Sequence, residues 1–311
     1  MSMAIYLTVD GGTTNTRIYL LRDGVLTDSR KLSVGARSGA AALKEALAEH
    51  IAAILRENGV KPAQVFKILA SGMITSEYGL CPLPHIALPV GRDELYQARY
   101  ETVFPEVCAI PWCFMRGVRS VGEALEETDV MRGEETELMG ILTDASEALY
   151  VLPGSHSKHI SVDSEGKILS FRTMMTGELF AAVLEHTILR DATDFGHAEI
   201  IEEFLLQGYR YARELGINEA LFKTRILKNI LGATKEQCYS FLLGAVLCDE
   251  TDAILRAAEQ TVVLGGQKQF REALAILLRT QGEKQVVLLT DEQVASSTAL
   301  GAVRIYESGS R

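Results

Sequence analysis

Membrane spans, paired cysteines and a basic surface are all missing from this chain of 311 residues, and each absence removes a class of function. No apolar run approaches the roughly 20 residues that cross a bilayer. The opening Met1-Ser-Met-Ala-Ile-Tyr6 runs straight into a strand without the basic region of a signal peptide, so a cytoplasmic protein is expected. The five cysteines (Cys81, Cys108, Cys113, Cys238, Cys248) are odd in number and include no C-x-x-C pair. That excludes a disulfide framework, argues against a zinc site and leaves reduced, mostly buried thiols. Net charge is −10 and the isoelectric point is near 5.2, the opposite of a nucleic-acid footprint and unsuited to an anionic membrane. Any anionic ligand therefore needs a local positive pocket. The one tryptophan, Trp112, ends a predicted core strand and reads as packing. Low-complexity segments and linkers are absent, and so is the Walker sequence G-x-x-x-x-G-K-[ST]. The length and the 47% hydrophobic content suit two domains with filled cores.

What the chain does contain is one pattern written twice. Tyr6-Leu-Thr-Val-Asp10-Gly-Gly12-Thr-Thr-Asn-Thr-Arg17-Ile18 leads to a turn at Arg22-Asp-Gly24 and out through Leu26 to Arg30. Shifted by 142 positions, Tyr150-Val-Leu-Pro-Gly154-Ser-His-Ser-Lys158-His-Ile160 leads to Ser164-Glu-Gly166 and out through Ile168 to Arg172. Gly12 maps to Gly154, Thr13 to Ser155, Ile18 to Ile160, Gly24 to Gly166 and Arg30 to Arg172. Each copy reads as strand, small-residue turn, strand, glycine turn, strand. The period is that of a domain rather than a solenoid. Two related halves are expected, each presenting a tight backbone loop to a shared cleft.

Between and after the copies, strands alternate with helices. Ser38 is expected to cap a helix with the apolar stripe Leu43, Leu47, Ile51, Ile54 and Leu55, stopped by Gly59 and Pro62. A strand over 65–70, a helix over 93–103 and a strand over 107–112 follow. Glu134 and Glu135, placed after Gly133, suit a helix N-terminus, where carboxylates meet the dipole. In the later half, helices are expected from Thr176 and over 197–215, 218–231 and 234–258. A strand over 261–264 then meets Gly265-Gly266-Gln267, before a helix over 270–279, a strand over 285–290 and a last helix over 296–306. The paired hairpins imply α/β layers with mixed sheets.

The loop Asp10-Gly11-Gly12-Thr13-Thr14-Asn15-Thr16-Arg17 has the chemistry of a polyanion cradle. Glycines let backbone amides approach phosphates, and hydroxyls add donors. A carboxylate such as Asp10 makes sense beside phosphates through Mg²⁺ and its waters, and Arg17 is placed to stabilise charge on a transferring group. A plain hairpin turn would use the same residue types; the second copy, Gly154-Ser155-His156-Ser157-Lys158, favours the phosphate reading. Gly265, Gly266 and Gln267, between a strand and a helix, would let an adenine ring lie against the backbone.

The order of these parts resembles the actin-like ATPase/sugar-kinase/Hsp70 superfamily. More narrowly, Gly72-Met73-Ile74, Asp129-Val-Met-Arg-Gly-Glu-Glu-Thr-Glu-Leu138, Leu152-Pro-Gly-Ser-His-Ser-Lys158 and Phe171-Arg-Thr-Met-Met-Thr-Gly-Glu-Leu-Phe180 resemble the 2-dehydro-3-deoxygalactonokinase family across essentially the whole chain. Two stretches depart from its usual pattern: Gly11 follows Asp10 where a tryptophan is common, and the segment after Gly79 lacks an aromatic residue. The resemblance implies two ribonuclease-H-like (actin-like) domains with an interdomain cleft. The N-terminal domain would span 1–143 plus 291–311, with the sugar side and first phosphate loop; the C-terminal domain would span 144–290, with the second loop and the adenosine site. It implies ATP- and Mg²⁺-dependent phosphorylation of a 2-keto-3-deoxy sugar acid at its 6-hydroxyl. Related kinases place a carboxylate base at the start of the interdomain helix. Glu134 occupies that place, and Asp129, five residues earlier, is its rival. Arg132 and Arg172 are the candidates for the substrate carboxylate, with Gly72, Met73, Thr176 and Glu178 as hydroxyl partners; Lys158 would reach a phosphate while His156 braces its loop. A homodimer fits this reading; nucleic-acid and membrane partners do not. Rival readings are a kinase for another small sugar or sugar acid, a non-catalytic sugar sensor, and a polymerising or chaperone ATPase on the same scaffold.

Overall fold

The computed structural model describes residues 4–142, 147–193 and 199–309. The chain divides into two compact units, one of Met1–Ser146, Asp163–Ser170 and Asp291–Arg311, the other of Glu147–Val162 and Phe171–Thr290. The first opens with β1 (Ile5–Gly11), β2 (Thr16–Arg22) and β3 (Val25–Leu32), an antiparallel meander. Asp23 and Gly24 turn it with φ of 51° and 75°, the left-handed pair that suits a two-residue hairpin. Helix α1 (Ala40–Glu57) leads to β4 (Val65–Gly72), which pairs parallel to β1. The run continues through β5 (Ile86–Ala87), α2 (Arg92–Gln97), β6 (Tyr100–Phe104), β7 (Cys108–Phe114), β8 (Val118–Ser120), β9 (Asp129–Met131) and α3 (Glu134–Ile141). A six-stranded sheet results, ordered β3-β2-β1-β4-β7-β6, beside a three-stranded sheet β5-β8-β9.

The second unit repeats the plan with β10 (Ala148–Leu152), β11 (Ser157–Val162) and β12 (Ile168–Met174, its last four residues in this unit). Five helices follow: α4 (Thr176–His186), α5 (Glu202–Leu215), α6 (Ile217–Asn229), α7 (Lys235–Val246) and α8 (Cys248–Arg256). Then come β13 (Thr261–Leu264), α9 (Lys268–Gln281) and β14 (Gln285–Leu288), while α10 (Asp291–Ser308) returns to the first unit. The sheet order β12-β11-β10-β13-β14 is that of β3-β2-β1-β4-β7, so the written repeat is a topological one.

Each unit has its own core. In the first, Leu7, Val9, Ile18, Leu20, Ile68 and Trp112 pack on the α1 residues Leu47, Ile51, Ile54 and Leu55; Trp112 is fully buried and stacks on Phe114 at 5.6 Å. In the second, Val151, Val262 and Leu264 pack with Phe180, Leu243 and Leu274. All five cysteines are unpaired.

Glycines set the closest helix contacts. A Cβ on Gly140 of α3 would sit 1.8 Å from the Ser297 carbonyl oxygen of α10, and one on Gly301 would sit 1.8 Å from that of Thr136. In the second unit Gly208 of α5 and Gly244 of α7 meet the Phe241 and Leu205 carbonyls in the same way, at 1.9 Å.

Four expectations change. Ser38 does not cap α1: Ala36–Ser38 forms a short 3₁₀ turn and Gly39, at φ 85°, precedes the helix. The turn forms because the amides of Ala36 and Arg37 are held by the carbonyls of Gly12 and Thr13. The helix over 93–103 ends at Gln97, and Tyr100–Phe104 pairs antiparallel with β7, as suits its β-branched and aromatic residues. The single helix over 234–258 is two, α7 and α8, broken at Leu247; Thr234 caps α7 in a box with Gln237. The described part of the helix over 197–215 begins at Glu202, and His197 lies outside the described residues.

Gly301→Ala should lower the melting temperature by several degrees, since inserting a methyl into a closed contact costs about 1–3 kcal/mol. An unchanged midpoint would show that α3 and α10 do not touch through their backbones.

Candidate active site

The first unit builds its site at the end of β1. The Gly12 amide donates to the Asn15 carbonyl at 2.8 Å and closes the 12–15 turn. The carbonyls of Gly12 and Thr13 accept from Ala36 and Arg37, both at 3.0 Å. Because a trans peptide points its C=O and N–H in opposite directions, the amides of Thr13 and Thr14 face away from that attachment. Both residues are exposed. Side chains are excluded close by: a Cβ on Gly11 would lie 2.6 Å from the Ile74 Cβ, and one on Gly12 2.7 Å from the Asn15 oxygen.

Asp10 precedes this loop, and strand register gathers polar groups around it. Arg17 of β2 and Ser71 of β4 are its cross-strand partners, so all three share a face with Thr8. The Arg17 guanidinium reaches the Asp10 carboxylate at 3.5 Å. The hydroxyls of Thr8 and Ser71 are buried without a protein partner among the described residues. Gly72 and Gly133 bring α3 to this point. Gly72, at φ 82°, would place a Cβ 3.3 Å from Asp10 Oδ1, and Gly133, at φ 114°, would place one 3.2 Å from the Gly72 Cα. Glu134 therefore begins α3 beside Asp10; its Oε2 accepts from the Arg132 amide at 3.0 Å.

Glu135 and Glu137 join the same cluster. Burial, reinforced by Glu134, pushes the Glu135 carboxyl up to about 7, although it accepts from the Gly133 amide at 2.7 Å. Burial, then Glu134 and Asp10, pushes Glu137 up to about 8, against a Ser297 hydrogen bond from α10. Burial also raises Asp10, with Arg17 opposing and Glu134 adding to the rise. Asp129 starts β9, opposite Ser120 of β8. The structure thus groups Glu134, Arg17 and Asp10. Glu137 was missed in the sequence, although its position three residues after Glu134 puts both on one helix face.

An open pocket of about 480 Å³ lies in this unit, lined by Met73, Ser76, Tyr78, Leu83, His85 and Arg132 among others. Arg132 braces its wall by donating to the Thr75 carbonyl at 2.8 Å, the Thr75 hydroxyl at 2.6 Å and the Leu83 carbonyl at 3.2 Å. Burial, then the charges of Arg132 and Arg119, hold His85 below its usual range, so a neutral imidazole faces the pocket. The sequence offered no sign of His85, because its role comes from a loop folded onto Arg132.

In the second unit, Gly154 and Ser155 join β10 to β11, and the first turn of α4 closes on them. A Cβ on Gly177 would lie 2.1 Å from the Gly154 oxygen, and the Glu178 amide donates to the Ser155 carbonyl at 3.0 Å. The His156 ring meets the Glu178 carboxylate at 2.7 Å on the surface. Lys158 is buried and donates to the Thr173 hydroxyl at 2.6 Å. The Gly265-Gly266-Gln267 turn docks on the same loop: Gly265 and Gln267 donate to the Val151 and Pro153 carbonyls at 2.9 and 2.7 Å. Gly266, at φ 63°, would place a Cβ 2.3 Å from the Pro153 oxygen, and buried Arg271 holds its carbonyl at 3.0 Å. Of the predicted substrate residues, Gly72, Met73 and Arg132 are in the first unit; Thr176 and Glu178 sit by the second loop, with Arg172 exposed on β12.

Solved structures share this architecture. A Sinorhizobium meliloti protein assigned as a 2-dehydro-3-deoxygalactonokinase aligns at a TM-score of 0.81 and 23% identity over 97% of this chain and 98% of its own. The activator of the 2-hydroxyisocaproyl-CoA dehydratase from Clostridium difficile, solved with bound ADPNP, aligns at 0.54 and 13% identity over 98% and 97%. The fold is that of the actin-like kinases. In sequence, the chain is 27% identical to the 2-dehydro-3-deoxygalactonokinase of Escherichia coli (strain K12) over 84% of this chain and 86% of that one. The 2-keto-3-deoxy-galactonokinase family model matches residues 10–301, and the chain belongs to that family. It is an enzyme, a sugar-acid kinase that uses ATP.

The raised carboxyls make stability depend on pH in a defined direction. A carboxyl whose folded pKa exceeds its unfolded value favours the fold when protonated, and that contribution is lost as pH rises through the folded pKa. For Glu137 the window runs from its ordinary 4.5 to about 8. Glu137→Gln, which keeps a hydrogen-bonding amide, should gain melting temperature relative to wild type steadily from pH 5 to 8.5. A pH-independent difference would remove Glu137 from the buried cluster.

Proposed function

We propose that the enzyme transfers the γ-phosphoryl group of ATP to the 6-hydroxyl of 2-dehydro-3-deoxy-D-galactonate, a step of galactonate breakdown. The observation that supports it is the meeting of Asp10, Arg17 and Glu134 at the mouth of a loop with outward-facing amides. In this reading the first unit carries the acceptor sugar and the first phosphate loop, and the second carries the other loop and the adenosine turn.

The residues divide the work by chemistry. Amides of Thr13 and Thr14, already turned outward, donate to phosphate oxygens without reorganising. The Glu134 carboxylate takes the proton of the attacking hydroxyl. Asp129 lies at the start of β9, ahead of Gly133 and the helix. Arg17 stabilises charge spreading over the transferring group. Arg132 and neutral His85 give the pocket donors and a positive edge for the sugar's carboxylate in an otherwise acidic protein. Backbone at Gly265 and Gly266 offers a flat surface to a purine.

Mg²⁺ fits this donor set. No group of three or more His, Cys, Asp or Glu among the described residues is arranged to hold a metal. A hard cation carried mainly by waters and phosphate oxygens needs only one carboxylate, and Asp10, beside Glu134 and the Ser71 hydroxyl, which has no protein partner among the described residues, supplies it. When bound, the ion would neutralise phosphate charge; Asp10 would hold it through an oxygen ligand or a water.

Coupled ADP release with a panel of sugar acids and neutral sugars tests the reading. ADP should appear only with the 2-keto-3-deoxy acid, and phosphorus NMR should place the ester at carbon 6. ADP formation without an acceptor, or with neutral hexoses alone, would overturn the proposal. Glu134→Gln should lower kcat by about 10²-fold or more, within the usual span for losing a general base, and Asp10→Asn should lower it comparably through loss of the carboxylate that would hold Mg²⁺. Asp129→Asn should stay within a few-fold of wild type; if it alone collapses, the base is Asp129.

A further inference from the structure

The second unit buries a complete carboxylate that no step above uses. Glu250, the third residue of α8, is 0% exposed, as are its neighbours Ser157 and Thr251. The Ser157 hydroxyl donates to its Oε1, and the His159 Nε2 meets the same oxygen at 3.2 Å. Thr176 also hydrogen-bonds this carboxylate. Oε2 is buried with no protein partner among the described residues. Burial pushes the carboxyl up, but His159, Ser157 and Thr176 together hold it below its usual range. Desolvating a carboxylate costs several kilocalories per mole unless donors surround it, so such a group stands out in a unit that could have used an apolar residue.

Its partners share one location. Ser157 and His159 are the first and third residues of β11, the strand that leaves the Gly154-Ser155-His156 loop. Thr176 is the first residue of α4, directly before Gly177, whose backbone touches Gly154, and Glu178, whose amide holds the Ser155 carbonyl. One carboxylate therefore ties the strand that exits the loop to the helix that closes on it. The helix α8 N-terminus adds a favourable dipole at the third position.

We propose that Glu250 is a positioning residue for the nucleotide, fixing the 154–156 loop by holding β11 and α4 together. This rests on reading that loop as the second phosphate loop. The contacts act through Ser157 and Thr176, and Glu250 itself touches no ligand. Displaced loop amides lose hydrogen bonds to the phosphates, because such bonds weaken steeply with distance and angle.

The test measures affinity for a non-hydrolysable ATP analogue with Mg²⁺ by calorimetry, together with KM for each substrate. Glu250→Gln, which keeps shape, should weaken the analogue about tenfold, and Ser157→Ala about threefold, with the sugar-acid KM within about twofold. Ser240→Ala removes another fully buried hydroxyl of this unit, the acceptor of the Ile201 amide at 2.9 Å, and should lower the melting temperature without changing analogue affinity. If Glu250→Gln does not fold, Ser157→Ala decides. Analogue affinity within about twofold of wild type in the folded variants, or an equal loss in Ser240→Ala, would overturn the proposal. Failure of the kinase reading is distinguishable, because it shows in the wild type, as nucleotide binding without transfer to the sugar acid.

Discussion

Backbone-to-backbone contact at Gly72 and Gly133 is the constraint on which the first unit's chemistry depends. With φ of 82° and 114°, neither position accepts a side chain without strain, and each closes on the next: Gly11 on Ile74, Gly72 on Gly11 and Asp10, Gly133 on Gly72. A strand end and a helix start are thereby brought within van der Waals distance, and Glu134 arrives beside Asp10 as a result. The Gly140–Gly301 crossing with α10 holds the other end of the same helix. Polar chemistry is placed here by the absence of side chains.

The acidic cluster follows from that closeness. Arg17 offsets charge at Asp10 and Glu137, Glu134 adds to it at Asp10, Glu135 and Glu137, and burial drives these last three toward their protonated forms. Such an arrangement costs folding free energy, as functional sites commonly do. The second unit uses the opposite device. There one buried carboxylate, Glu250, meets donors at its Oε1 and is held below the usual carboxylate range, and it supports a loop instead of meeting a ligand.

Much of this was legible in the sequence because it is written in local patterns. The 142-residue repeat gave the shared strand order, since each copy carries its own turn glycines. The α1 stripe and the Gly133-Glu134 helix start were equally local. What stayed hidden depended on distant segments. Ser38 lost its capping role because the 33–39 loop is bonded to Gly12 and Thr13, residues two strands earlier. Tyr100–Phe104 reads as the tail of a helix until β7 is there to pair with it. His85 and Glu250 carry no spacing signal, because their partners, Arg132 and Ser157 with His159, lie 47 and 91–93 residues away.

The attachment of the 12–15 turn has an evolutionary corollary. Its shape is kept by main-chain bonds to Ala36 and Arg37 and by the glycines, while Thr13 and Thr14 are exposed. Mutation at those two positions can retune what a ligand meets with little penalty to the fold. Ligand contact and foldability are written at separate addresses, so a lineage of such enzymes is free to vary its hold on the phosphates while its architecture stands still.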